Sequence, residues 1–437
     1  MKRIKKALAL LLVMAFIFTL SGCKLFSVQE DLLSPPRPQG ELFEIEKALR
    51  SLSAGKITLK YPTAGEYRSA IIQYDITANG IQDAVAFYST ESENISLMHV
   101  AVITKHDGEW VAVRDASVLA SGVERVEFED LDGDGKSEII VGWSVYGTVD
   151  KEIGIYGFDG VTLSPYAHEK YTQFLRTDLN TDQRKELFLI YNNTAEKTAT
   201  ARLLTLENKA VAEITSARSD GAVSDYLQVA QSKLLNGKPA VFVDAQKGTS
   251  AITEVFYLED GHLVNPFYDR ESNTTKITER KNNVPSKDIN DDGSYDVPML
   301  QLMPGFENAA ESDRVYVTKW CGFDGARLAV TLSAVMNYTD GYYFTYPKEY
   351  EGKISVDRIL SSRTRIVNFV SDIEKAEKQE LFRIKTISLN SWETTENEGW
   401  EKLLEDKTTV YAVRISDFGK QNGITHEVIQ NEFKLIG

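Results

Sequence analysis

The chain has 437 residues, more than one compact core holds, and its 42% hydrophobic and 26% charged content excludes a disordered or fibrous protein. A formal net charge of −15 argues against nucleic acid as a partner, because phosphate binding needs a basic face. Acidity of this kind suits cations, basic partners or plain solubility.

The amino terminus opens with a basic segment, MKRIKK, and then an apolar run, ALALLLVMAFIFTL, that is shorter than the about 20 residues needed to span a bilayer. LSGC follows, ending in Cys23. The pattern is similar to the lipobox of bacterial lipoproteins. That resemblance implies a signal peptide over residues 1–22, acylation of Cys23, and a lipid anchor on the extracytoplasmic face of the cell membrane. Residues 23–40 carry Pro35, Pro36 and Pro38 and read as a semi-rigid, Pro-rich spacer. Cys321 is the other cysteine, so with Cys23 acylated no internal disulfide is expected, and metal ions are one remaining staple.

ELFEIEKALRSL places Phe43, Ile45, Leu49 and Leu52 near one face of a helix, and from KITLKYP onward strands dominate. An acidic box then recurs. DITANGIQDAV starts at Asp75, DLDGDGKSEII at Asp130, DLNTDQRKELF at Asp178 and DINDDGSYDVP at Asp288, at gaps of 55, 48 and 110 residues. The long gap hides a fifth copy, SKLLNGKPAVFVDA from Ser232, which has lost its acids. Each unit also carries a strand–turn–strand segment with a DG or EN turn, as in HVAVITKHDGEWVAV and ARLLTLENKAVAEI. Each unit therefore reads as a four-stranded antiparallel sheet of about fifty residues, the size of a β-propeller blade. The expected fold class is mainly β: a propeller of about five blades over residues 41–335, then a small α+β domain over 336–437. In that last segment DGYYFTYPKEYEGKISV predicts two strands around a turn, and ENEGWEKLLEDKTTVYAVRIS predicts a helix followed by a strand.

Oxygen ligands at alternate positions of a tight loop suit a hard cation, and Ca²⁺ accepts six to eight oxygens at flexible geometry. Positions one, three, five and nine of the box supply side chains, and position seven can supply a carbonyl. An EF-hand would need an acid at position twelve, where Val141 and Leu189 stand. The boxes resemble the calcium loops of FG-GAP, or VCBS-type, repeats, which build integrin-α-like propellers. The resemblance covers roughly residues 56–332 and implies structural Ca²⁺. It would be held by Asp130, Asp132, Asp134, the Lys136 carbonyl and Glu138, and by Asp288, Asn290, Asp292, the Ser294 carbonyl and Asp296. A third set is Asp178, Asn180, Asp182, the Arg184 carbonyl and Glu186, with Gln183 in place of the usual glycine. Asp75, Thr77, Asn79 and Asp83 hold only two carboxylates, so weak binding or none is expected there. The carboxy-terminal segment resembles PsbP-like domains through YYFTYPKEYEGKISV and WEKLLEDKTTVYAVRI.

No histidine of the five lies in a metal-ligand spacing, and no nucleophile elbow or phosphate loop is present. His99, His106, His168, His262 and His426 read as surface or edge residues, Cys321 as a packed thiol, and Trp143 and Tyr146 as blade packing. No catalytic residue is expected, and the chain reads as a surface binding or scaffolding module for an envelope protein or glycan. A propeller-based, polysaccharide-acting enzyme and an assembly factor for an envelope complex are the alternatives.

Overall fold

A computed structural model describes residues 40–53, 55–90, 97–145, 151–346, 348–372 and 377–436. The signal-peptide, Cys23 and spacer expectations, and Tyr146, lie outside the described residues. The chain is mainly β and divides into two compact units, the chain up to Val123 with Phe158–Ser164, and Glu124–Gly157 with Pro165 to the end.

The first unit starts with α1 (Glu41–Arg50), the amphipathic helix expected from the spacing. Its sheet contains β1 (Ile57–Leu59), β2 (Ile71–Tyr74), β3 (Asp83–Thr90), β4 (Leu97–His106) and β5 (Glu109–Val118). The order is β1-β3-β4-β5, and β2 pairs with β3 beyond β1 along the same edge. Ile45 and Leu49 of α1 are fully buried and pack with Ala84, Ala86, Tyr88, Ala101 and Ile103 of the sheet.

Three sheets of one plan follow. The second holds β6 (Ala120–Glu129), β7 (Glu138–Val145), β8 (Lys151–Phe158) and β9 (Leu163–Tyr171). The third holds β10 (Gln173–Thr177), β11 (Glu186–Asn193), β12 (Thr198–Glu207) and β13 (Ala210–Ser219). The fourth holds β14 (Asp225–Lys233), β15 (Pro239–Lys247), β16 (Ser250–Glu259) and β17 (His262–Val264). In each, the strands lie in sequence order. The turns 107–108, 208–209 and 260–261 each have positive φ at both residues and leave two-residue loops, the geometry that matches strand twist. After a short hairpin, β18 (Tyr268–Asp269) and β19 (Thr274–Thr275), comes β20 (Asp296–Leu302), β21 (Tyr316–Phe323), β22 (Leu328–Asn337) and β23 (Tyr342–Thr345). The sixth sheet holds β24 (Ile354–Ile359), β25 (Thr364–Asp372), β26 (Glu377–Ser388), β27 (Glu401–Glu405) and β28 (Thr409–Ile415) in the order β24-β25-β26-β28-β27. Short helices α2 (Leu389–Thr394), α3 (Asp417–Gln421) and α4 (His426–Glu432) precede a last strand, β29 (Phe433–Leu435), which pairs with β23 and completes the fifth sheet.

One sequence expectation needs correction. The segment from Trp400, expected as a helix, is strand β27, paired with β28. The helix of that region lies earlier, at α2, where Ser388 caps the Ser391 amide. Residue 335, the expected domain boundary, falls inside β22.

Strands β11 and β15 are buried on both faces because sheets stack on either side of them. In β11, Leu187 and Leu189 pack against Ile140, Ile153 and Ile155 of the second sheet, while Phe188 and Ile190 pack against Val241, Val243 and Phe256 of the fourth. β15 repeats the arrangement, with Ala240 and Phe242 turned to Val297 and Phe323 of the fifth. The side-chain period of two thus serves two cores at once. Phe188→Ala is expected to destabilise the protein by about 3–5 kcal/mol in urea unfolding. A loss below about 1 kcal/mol would mean that the face between the third and fourth sheets is not a close-packed core.

Candidate metal centres

The Asp130 and Asp178 boxes join the first strand of a sheet to its buried second strand, the Asp75 box joins β2 to β3, and the Asp288 box leads into β20, the first strand of its sheet; in all four the ninth residue opens the strand that follows: Asp83, Glu138, Glu186 and Asp296. The backbone turns twice through the left-handed region, at positions four and six: Ala78 and Gly80, Gly133 and Gly135, Thr181 and Gln183, Asp291 and Gly293. Glycine adopts that region freely, whereas Gln183, at φ 74, stands there at a cost.

The first aspartate folds each loop around itself. Asp130 accepts from the Gly133 amide at 2.7 Å and from Gly135 at 2.9 Å. Asp288 accepts from Asp292 at 3.0 Å and Gly293 at 2.8 Å, Asp75 accepts from Asn79 and Gly80, and Asp178 accepts from Gln183 at 3.2 Å. The fifth-position acid accepts from the amide two residues on: Asp134 from Lys136, Asp182 from Arg184 and Asp292 from Ser294, each at 2.8 Å. Glu138 Oε2 takes the Leu131 amide at 2.8 Å, and Glu186 Oε2 takes the Leu179 amide at 3.0 Å.

These bonds aim the remaining oxygens inward. Asp130, Asp132 and Glu138 each offer an oxygen within 4.8 Å of the others, and so do Asp178, Asp182 and Glu186. These two acidic clusters could bind a metal ion. The set at Asp288 differs, since Asp296 Oδ1 accepts from the Thr331 hydroxyl at 2.6 Å. Several oxygens are buried without a hydrogen-bond partner: Asp178 Oδ1, Asp296 Oδ2 and, in the loop expected to bind weakly or not at all, Asp83 Oδ2 and Thr77 Oγ1. Orphaned buried oxygens are uncommon in folded proteins and fit a hard cation as their partner.

The electrostatics agree. Burial pushes the carboxyls of Glu138 and Glu186 up to about 7, and neighbouring aspartates add to the shift; burial likewise pushes Asp296 up to about 6. A cavity of about 750 Å³ lined by Asp132, Asp134, Asp182 and Arg184 gives solvent a route to both clusters. Arg184 ties them together. Its Nη2 donates to the Leu131 carbonyl at 3.0 Å, and its Nε would stand 3.1 Å from a Cβ on Gly133. The Ser232 loop keeps the turn, with Gly237 at φ 84 and Lys238 N–H donating to Asn236 Oδ1, but buried Ala240 fills the carboxylate position.

Other expectations resolve as packing. Trp143 is fully buried and donates to Tyr156 Oη at 3.0 Å, and burial pushes the Cys321 thiol up to about 11. His99 departs from the surface reading. Its Nδ1 lies 2.5 Å from Asp115 Oδ2, its ring stacks on Tyr88 at 4.6 Å, and Tyr88 Oη donates to the same carboxylate at 2.9 Å. The signal was cross-strand register, since His99 faces Tyr88 on β3 and lies diagonal to Asp115 on β5.

No family model and no curated protein matches the chain. Among solved structures it is similar to an exotype rhamnogalacturonan lyase, YesX, at 10% identity over 82% of this chain and 91% of that one, with a TM-score of 0.29. It is also similar to a rhamnogalacturonan lyase of Bacillus licheniformis, at 10% identity, 80% and 85% coverage and TM-score 0.29. The third is an exo-β-1,3-galactanase of Phanerochaete chrysosporium, at 13% identity, 76% and 79% coverage and TM-score 0.25. Likeness at these scores gives no residue of this chain a role.

Gln183→Gly removes the left-handed strain and is expected to stabilise the protein by about 1 kcal/mol in chemical denaturation; a neutral or negative change would mean that Gln183 makes a compensating contact. A pH dependence also follows. The raised folded-state values of Glu138 and Glu186 mean that the metal-free protein has their full contribution below the ordinary carboxylate range and loses it as pH rises through about 7. A cation competes with those protons. The rise in Tm caused by added Ca²⁺ should therefore grow between pH 5.5 and pH 8, roughly the window those values span; a rise that is flat across that window would detach the two glutamates from the metal.

Proposed function

We propose that the chain is a lipid-anchored surface protein of the FG-GAP/VCBS kind, in which the repeats form a calcium-stabilised β-propeller of about five blades. It acts as a binding or scaffolding module for an envelope protein or glycan. The observation that carries the reading is the pair of converging acid clusters, each with one buried glutamate at the head of a doubly buried strand. Their oxygens are held by the amides of their own loops, which supports a structural cation rather than an acid–base pair. The sheet-on-sheet stacking of successive repeats supports the propeller, and the LSGC motif at Cys23 supports the anchor on the extracytoplasmic face. The sixth sheet and the helices around it form the α+β part, read as PsbP-like.

Melting the full chain in detergent with Ca²⁺ and without it tests the reading, repeated with Asp130→Ala and Asp288→Ala. At a hundredfold excess over Kd each site adds about 2.7 kcal/mol, so a Tm rise of several degrees is expected, reduced in either variant. An unchanged Tm in wild type and variants alike would leave the boxes as metal-free turns and remove the basis of the proposal.

A further inference from the structure

Away from the metal loops, a cavity of about 300 Å³ is lined by Arg314, Arg358 and Arg365 on one hand and by Val335, Tyr342 and Val356 on the other. Among the described residues no carboxylate lines it, in a chain whose formal net charge is −15. The most informative group is Arg365, only 9% exposed. Its Nη2 donates to Asn337 Oδ1 at 3.2 Å and is ion-paired with Asp340 Oδ2 at 3.8 Å, while Arg363 Nε donates to Asp340 Oδ1 at 2.6 Å. Its Nη1 is buried and has no hydrogen-bond partner, and neither has the hydroxyl of fully buried Tyr342.

The two outer arginines are oriented by backbone carbonyls. Arg314 Nε donates to the Ala309 carbonyl at 3.3 Å, and Arg358 Nη2 donates to the carbonyls of Ser312 at 3.4 Å and Asp313 at 3.0 Å. Carbonyls fix a guanidinium's plane and leave its positive charge in place. A buried charged donor left unused costs more than a neutral one, and an oxyanion is the acceptor that the guanidinium fork matches. The volume stands at the lower end of ligand cavities, and apolar walls with a few convergent polar groups are their usual lining.

We propose that this cavity binds a small organic oxyanion, a carboxylate or phosphate carried on a body of monosaccharide size. The guanidinium of Arg365 and the Tyr342 hydroxyl take the anion from the buried side, Arg314 and Arg358 from the outer side, and Val335 and Val356 meet the uncharged body. The site goes beyond the calcium-stabilised scaffold and does not depend on the cation.

Isothermal titration calorimetry of the full chain at low salt would use galacturonate, a hexose phosphate and the parent neutral hexose as probes. At least one anion is expected to bind and the neutral hexose not. The tighter of the two anions identifies the headgroup as carboxylate or phosphate. Arg314→Ala and Arg358→Ala should each weaken binding at least about tenfold, the loss of a hydrogen bond to a charged group. Tyr342→Phe keeps the core ring and removes only the hydroxyl, so it guards against a variant that merely fails to fold; it too should bind more weakly. Absence of heat with both anions at millimolar concentration, equal binding of the neutral hexose, or unchanged affinity in the folded variants would overturn the proposal. A protein that melts identically with and without Ca²⁺ yet binds the anion would sink the calcium reading and leave this one standing.

Discussion

A strand enclosed on both faces is the constraint from which the rest of this molecule follows. β11 and β15 turn alternate side chains into two different cores, so the third and fourth sheets each need a neighbour on either side. The head of such a strand is where a dry sheet meets a charged loop. Glu138 and Glu186 stand there, 3% exposed, each using one oxygen to close its own loop. Burial alone would keep these groups protonated near neutrality, whereas a divalent cation in the loop favours the charged form. The acidic loop and the stacked core are in this sense one device, because the strand that demands two neighbours also brings the carboxylate into low dielectric.

What the sequence disclosed was mostly short-range. The acidic boxes, the DG turns at 107–108 and 260–261 and the helix Glu41–Arg50 depend on residues within a dozen positions of one another and stand where the pattern puts them, while the expected EN turn falls one residue on, at Asn208–Lys209. Long-range pairing was not legible. The segment WEKLLE has helical propensity, yet it pairs with β28, an instance of tertiary context overriding local preference. The fifth sheet is completed by β23 and by β29, the latter nearly a hundred residues beyond β22, which no periodicity reveals. Arg184 was read as a backbone ligand only. That its side chain reaches the loop of the preceding sheet depends on the stacking of whole sheets.

The fourth sheet shows how a long connection is held where it lacks a core of its own. Between β17 and β20 the chain has little regular structure beyond the β18–β19 hairpin, and buried acids on the sheet pin it instead. Asp244 Oδ1 accepts from Arg280 Nη2 at 2.9 Å with both side chains fully buried, and its other oxygen takes the Ser286 amide at 2.8 Å. Glu254 accepts from the hydroxyls of Ser219 at 2.5 Å and Thr275 at 2.9 Å, and Asp220 accepts from the Thr275 amide. Buried ion pairs add little net stability over apolar packing, but removing one partner leaves an uncompensated charge. Such a network serves to fix one path for the chain among several.

The Ser232 loop has a meaning beyond its lost acids. It is fastened from outside: the Leu235 amide donates to the Phe323 carbonyl at 2.9 Å, the Asn236 amide group donates to the Asp324 carbonyl at 2.6 Å, and the Leu235 side chain occupies the space beside Gly322. The same turn thus exists in two versions, one without acids and clasped by its neighbour, and one lined by carboxylates that could hold an ion. Under the proposed reading, stripping cations from the medium would not soften the array evenly. It would slacken the joints of the second, third and fifth sheets and spare the fourth, which becomes the pivot about which a calcium-poor molecule flexes.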